Sequence, residues 1–267
     1  MGRIEAKFAD LKREGRRALI PFITAGDPDL PTTELLLVEL AQAGADLIEV
    51  GVPFSDPVAD GPVIQRASER ALRKGVTLAA VLGCVAAARR RLEVPIVLFS
   101  YFNPLLQFGL ERLASEARTA GVDGILVTDL APEEAGDWEK VLRANTIDPI
   151  FLVAPTTSDE RLRQITERGR GFIYAISRTG VTGARPEMEG AAEALVRRVR
   201  NCTDLPVAVG FGVTTVQHVR DVWRYADAAV VGSAIVQEIE RSGSADQVVP
   251  RVGKFVRGLL RREDDGA

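Results

Sequence analysis

Eight short apolar runs rich in Val and Ile recur along this 267-residue chain, each followed by a stretch of helical periodicity. They are Leu19–Thr24, Leu47–Gly51, Pro95–Phe99, Gly124–Thr128, Pro149–Val153, Phe172–Ile176, Pro206–Gly210 and Asp227–Val231. Between residues 19 and 227 they repeat at steps of about 30 residues, the size of one strand–helix unit. Near-continuous apolar runs are what parallel strands covered on both faces require. Eight such units predict an α/β protein, a closed (β/α)8 TIM barrel forming a single domain over residues 1–267. An open doubly wound sheet is the alternative, and eight units would be long for it.

Two departures from the regular repeat matter. The opening segment places Ile4, Phe8 and Leu11 at helical spacing, which predicts an N-terminal amphipathic helix rather than a secretory segment. From strand 2 to strand 3 the step lengthens to 48 residues. That stretch holds a loop, PFSDPVADGP, and two expected helices, Val63–Lys74 and Leu78–Leu92. An insertion after a strand belongs at the C-terminal face of a barrel, where active sites are built. Asp29 and Pro31 are the start signal for the first barrel helix, and Thr214 or Thr215 for the helix carrying His218. The tail RREDDGA reads as a frayed end.

Composition then removes whole classes of chemistry. The net charge of −3 argues against a nucleic-acid binder. No apolar run approaches the roughly 18 residues of a membrane span, and the expected compartment is the cytoplasm. Cys84 and Cys202 stand far apart without metal-type spacing. The single histidine, His218, sits on a helix as a surface or packing residue, and zinc clusters or histidine-activated nucleophiles need more. The five lysines, Lys7, Lys12, Lys74, Lys140 and Lys254, all lie off the expected strands, which closes the Schiff-base route.

Two kinds of residue remain as candidates. Glycine turns follow the last three strands: Gly180-Val-Thr-Gly183, Gly210-Phe-Gly212, and Gly232-Ser233, the last opening a helical stretch at Ala234–Arg241. Glycines let backbone N–H groups approach an anion, and barrels often build phosphate sites after strands 7 and 8. A single such turn could be an ordinary tight turn, but three at the right strand ends favour a phosphate site. Glu49 falls inside strand 2, where a charge is costly unless it faces a functional cavity or is paired as a structural carboxylate. Asp60 lies in the long loop after the same strand. With Asp56 it could hold Mg²⁺ or simply be solvated, and nothing else completes a metal cage, so no metal is expected. Carbon–carbon cleavage here would have to use carboxylate acid–base chemistry on a substrate supplying its own electron sink.

Several segments carry a resemblance. Pro21-Phe-Ile-Thr-Ala-Gly-Asp-Pro28, the strand-2 run Glu49 to Pro62, Ser100-Tyr-Phe-Asn-Pro104, Ser177-Arg-Thr-Gly-Val-Thr-Gly-Ala184, Gly210-Phe-Gly212 and Gly232-Ser233 occur in order over residues 4 to 260. Together they resemble the tryptophan synthase α-subunit family. The resemblance implies a lyase cleaving indole-3-glycerol phosphate to indole and glyceraldehyde 3-phosphate in L-tryptophan biosynthesis. It implies Glu49 as general acid/base and Asp60 as the carboxylate on the indole N–H. Phe22 and Tyr101 would line the indole pocket, Tyr174 would lie near the glycerol chain, and Thr182 would contact Asp60 on closure of a lid that includes Arg178 and Gly180. Gly183, Gly212, Gly232 and Ser233 would clamp the phosphate. Ala131, where the family often has proline, puts local loop rigidity in doubt. The resemblance also implies a β-subunit partner in an α₂β₂ assembly, facing the loop 53–60 and a strand-3 loop around 103–107, with pyridoxal phosphate only in that partner. Rival readings are a non-catalytic subunit that binds a phosphate ligand and activates a partner, and another phosphosugar barrel enzyme such as an isomerase.

Overall fold

The computed structural model describes residues 1–176, 189–210, 212–242 and 245–261. Eight parallel strands close a barrel in chain order: β1 Ala18–Thr24, β2 Ile48–Gly51, β3 Ile96–Ser100, β4 Gly124–Val127, β5 Asp148–Val153, β6 Ile173–Ile176, β7 Val207–Gly210 and β8 Ala228–Val231. Each lies within one residue of its expected ends. The closed order excludes the open sheet. α1 (Arg3–Arg13) precedes the barrel, and its Ile4, Phe8 and Leu11 are buried. Phe8 meets Phe172 of the barrel floor at 5.9 Å between ring centres. Each such side chain contributes about 1.5–3 kcal/mol by leaving water.

α2 (Leu30–Gln42) starts at Asp29, whose carboxylate accepts the Thr32 N–H at 2.7 Å. After β2 come the two inserted helices, α3 (Pro62–Arg73) and α4 (Leu78–Arg89). α4 stops three residues before the expected Leu92, short of Val94, which Pro95 biases toward extended backbone. The segment expected as a strand-3 loop at 103–107 is instead helical, within α5 (Phe102–Phe108). Asn103-Pro104 reads as a turn, but a proline in the first turn of a helix removes an N–H that has no partner inside it. Asp129, from the loop after β4, accepts the Phe102 N–H at 2.7 Å and caps the helix from outside. α6 (Leu110–Ala120) and α7 (Gly136–Ala144) flank β4 and its loop. There Ala131 adopts φ −69°, the value a proline ring would impose, so the chain path is kept without the ring.

The circuit is completed by α8 (Asp159–Arg168), α9 (Glu189–Arg200), α10 (Val216–Trp223), α11 (Ser233–Glu240) and α12 (Ala245–Leu259). α10 is capped by Thr215, one of the two expected residues. His218 is exposed on that helix, as expected, with Nδ1 3.2 Å from Thr214 Oγ1. Among the described residues no single helix is long and apolar enough to cross a membrane.

Aspartates clasp the strands in pairs at the floor of the barrel. Asp46 donates its N–H to the Leu19 carbonyl and accepts the Leu19 N–H on its carboxylate, both at 3.0 Å. Asp123 does the same with Ile96, and Asp227 with Val207, each at 2.9 Å. These pair β1 with β2, β3 with β4 and β7 with β8. On β5 the corresponding residue is Pro149, whose carbonyl accepts the Arg170 N–H. Proline has no N–H to satisfy, so no fourth carboxylate is needed.

Candidate active site

At the opposite end of the barrel a cavity of about 500 Å³ opens between the strand termini. Phe22 of β1, Glu49 of β2, Phe99 of β3 and Tyr174 of β6 line it, together with Asp60 from the loop before α3. Parallel pairing sets Glu49 level with Phe22 on one side and Val97 on the other. The ring of Phe99 meets Phe22 edge-on at 5.4 Å and Tyr174 at 6.5 Å between centres. Glu49 therefore sits among aromatic and aliphatic groups.

Glu49 is buried, and neither carboxylate oxygen has a hydrogen-bond partner among the described residues. Burial disfavours its charged form and pushes the group up to about 8. At neutral pH it is mainly a neutral acid. Asp60 is also buried, and burial pushes it up to about 6, opposed by a hydrogen bond from Tyr101. Tyr101 thus stands behind Asp60 as well as beside the aromatic wall: its hydroxyl accepts the Ala59 N–H at 2.9 Å and donates to Asp60. Burial first, and the nearby Glu49 carboxyl second, hold the Tyr174 hydroxyl well above its ordinary value. Gly210 makes room for that side chain, since a Cβ there would lie 2.0 Å from the Tyr174 hydroxyl oxygen.

The far wall has a different character. Gly212, Thr214, Gly232 and Ser233 line it, and Ser233 is the first residue of α11. α11 replaces the expected Ala234–Arg241, shifted by one residue. Its first N–H groups lack partners within the helix, and its dipole is positive at this end. Gly212 adopts φ +89°, a backbone conformation that side chains disfavour. Seven described candidates, Phe22, Glu49, Asp60, Tyr174, Gly212, Gly232 and Ser233, share the one cavity, and Tyr101 adjoins it. Thr182 and Gly183, with Arg178 and Gly180, lie outside the described residues. Phe99 was not singled out from sequence, and Thr214 only as a possible helix cap. Phe99 occupies a strand buried throughout, so alternation carried no signal, and only its place at the strand's C-terminal end pointed to it. Among the described residues no three His, Cys, Asp or Glu side chains converge as a metal site. Asp56 is exposed and bonded to the Ser55 hydroxyl.

Fold and cavity together define a (β/α)8-barrel enzyme equipped for proton transfer by carboxyl groups. The family model for the tryptophan synthase alpha chain matches residues 8–261. The tryptophan synthase alpha chain of Geobacter sulfurreducens is 50% identical over 259 residues, covering 97% of this chain and 98% of the relative. The crystal structure of the alpha subunit from Legionella pneumophila superposes with a TM-score of 0.90 at 36% identity, covering 99% of both chains. A chain of tryptophan synthase from M. tuberculosis gives 0.88 at 37% identity, covering 97% of this chain and 98% of that one. This chain belongs to the tryptophan synthase alpha chain family.

Proposed function

We propose that the cavity cleaves indole-3-glycerol phosphate by a retro-aldol reaction, with Glu49 as general acid/base and Asp60 as the electrostatic partner of the indole ring. The chain is a carbon–carbon lyase of tryptophan biosynthesis, and its own side chains supply the chemistry. The indole ring lies against Phe22 and Phe99, with its N–H on Asp60. Glu49 in its neutral form protonates ring carbon C3. The ring becomes an indoleninium cation, whose charge the Asp60 carboxylate stabilises in a site shielded from water. The bond from C3 to the side chain then breaks, and its electron pair restores the indole ring. The hydroxyl on the departing carbon loses its proton, accepted by the Glu49 carboxylate, and becomes the aldehyde of glyceraldehyde 3-phosphate. Tyr174 borders the glycerol chain. The phosphate rests against Gly212, Gly232 and the first N–H groups of α11 at Ser233, with Gly183 and Thr182 closing over the site as the family resemblance implies.

The observation that carries this reading is one cavity holding two carboxyl groups of different proton affinity, about 8 for Glu49 and about 6 for Asp60. Environments that separate two such groups assign one as acid and the other as anion. Glu49→Gln keeps the shape and removes the proton, so indole release from the substrate should fall by about 10²–10⁴-fold with binding retained. Cleavage near the wild-type rate would remove Glu49 from this role. A wild-type chain that stays inactive alone but accelerates a β subunit would support the activator reading instead.

The partner reading follows from the same face. A β subunit holding pyridoxal phosphate would cover the cavity mouth in an α₂β₂ complex, receiving indole directly. Val58, at the cavity rim in the loop before α3, is 83% exposed and Leu106 on α5 is 50% exposed, apolar surface that such a partner would cover.

A further inference from the structure

Among the helices additional to one per strand, α3 and α11 pack on each other. α3 begins two residues after Asp60, and its Gln65 side chain donates to the Asp60 carbonyl at 2.8 Å. α11 begins at Ser233. One ionic cluster fastens them. Arg66 and Arg70 lie one turn apart on α3. Arg66 meets both carboxylate oxygens of Glu240, the last residue of α11, at 2.7 and 2.8 Å. Arg70 gives one N–H to Glu240 at 2.8 Å and two to Asp27, both at 2.8 Å. Asp27 is 1% exposed and lies in the loop after β1, the strand that carries Phe22. Planar guanidinium groups engaged at two points hold orientation as well as distance. The elements that bear Asp60, Phe22 and Ser233 are thereby locked to one buried carboxylate.

We infer that Arg66, Arg70 and Glu240 form a strut that fixes the span between the ring end and the phosphate end of the cavity, and so select ligands by the length of the chain joining ring to phosphate. This rests on the functional reading above. A ligand with recognition groups at both ends gains from the second contact only if the frame holds the two sites at its own span. Slackening the frame leaves each end its own contacts and removes the joint advantage. Arg66, Arg70 and Glu240 are therefore positioning residues.

The test compares fragments with the whole. Glu240→Ala removes the ionic link between α11 and α3 and leaves the Asp27–Arg70 pair in place; Arg66→Ala is an independent second variant. Calorimetry on the full chain would measure binding of indole, of glycerol 3-phosphate, and of indoles carrying a phosphate on two-, three- and four-carbon chains. In both variants the two fragments should bind within twofold of wild type. The three-carbon compound should lose tenfold or more, its preference over the other lengths should narrow, and KM for cleavage should rise in parallel. Equal weakening of fragments and linked compound, or an unchanged linked compound, would overturn the strut. A wild-type chain that binds none of the linked compounds would overturn the functional reading itself, and the strut's role with it.

Discussion

Glu49 is a buried carboxyl group with no hydrogen-bond partner among the described residues, and its consequences run through both activity and stability. The proposed mechanism needs Glu49 protonated and Asp60 ionised in the ligand-free chain. With Asp60 near 6 and Glu49 near 8, kcat/KM should rise as pH climbs through about 6 and fall as it passes about 8. A profile flat from pH 5 to 9 would contradict both assignments. Stability responds with a definite sign. The folded-state value of Glu49 lies above its ordinary 4.5, so between about 4.5 and 8 the folded chain holds more proton than the unfolded one. Its contribution to stability therefore declines as pH rises across that window. Glu49→Gln lacks this decline, and its advantage over wild type in urea unfolding should grow from pH 5 to pH 8 and then level off. Parallel stability curves for the two proteins would rule this out. Glu49 was legible from the residues because a charge in a covered strand is costly without a function. Asp60 was less so, since an aspartate in a Gly- and Pro-containing loop looks like a solvated turn or a weak cation ligand; only the family resemblance gave it a place in the chemistry.

At the scale of elements, the strands were readable to within a residue because two covered faces demand unbroken Val and Ile. α5 was not readable, because the Asp129 that caps it lies 27 residues away on another strand's loop. Capping from outside the element leaves no local trace. The aspartate clasps are likewise long-range, although each announces itself as an aspartate placed just before β2, β4 or β8. Asp123 also binds Arg3 of α1 at 2.8 Å and Arg89 of α4 at 2.9 Å, besides the Ile96 N–H. Asp123→Ala would leave the largely buried Arg89 with its carbonyl contacts but without its ion-pair partner, and the buried Ile96 N–H unpaired. Its expected cost is about 3–5 kcal/mol in denaturant unfolding. Because the clasp lies at the opposite end of the barrel from the cavity, KM should not change. A shift in KM larger than the loss of stability can account for would mean that the floor and the mouth are coupled.

Seen whole, the molecule divides its labour between two ends: ionic clasps at the floor, chemistry and exposed apolar residues at the mouth. Leu106 belongs to the second set without lining the cavity. Leu106→Glu should weaken association with a β subunit by tenfold or more in calorimetry while leaving cleavage by the isolated chain intact. Undiminished association would place the partner elsewhere. That a partner face exists was implied by family resemblance alone, since no stripe in the sequence marks it; exposure became visible only once α5 formed. The clasps have one more consequence, for how such a barrel can be rearranged. Because they join β1 to β2, β3 to β4 and β7 to β8, with Pro149 standing where a fourth would be, three of the four quarter-barrels are each closed on themselves at the floor. A recombinant that exchanges a whole quarter with a relative, crossing over in α4 or α9, carries both halves of every clasp from one parent. A crossover between β3 and β4 must match an aspartate from one parent to a backbone from the other, so the quarters are the natural units of exchange.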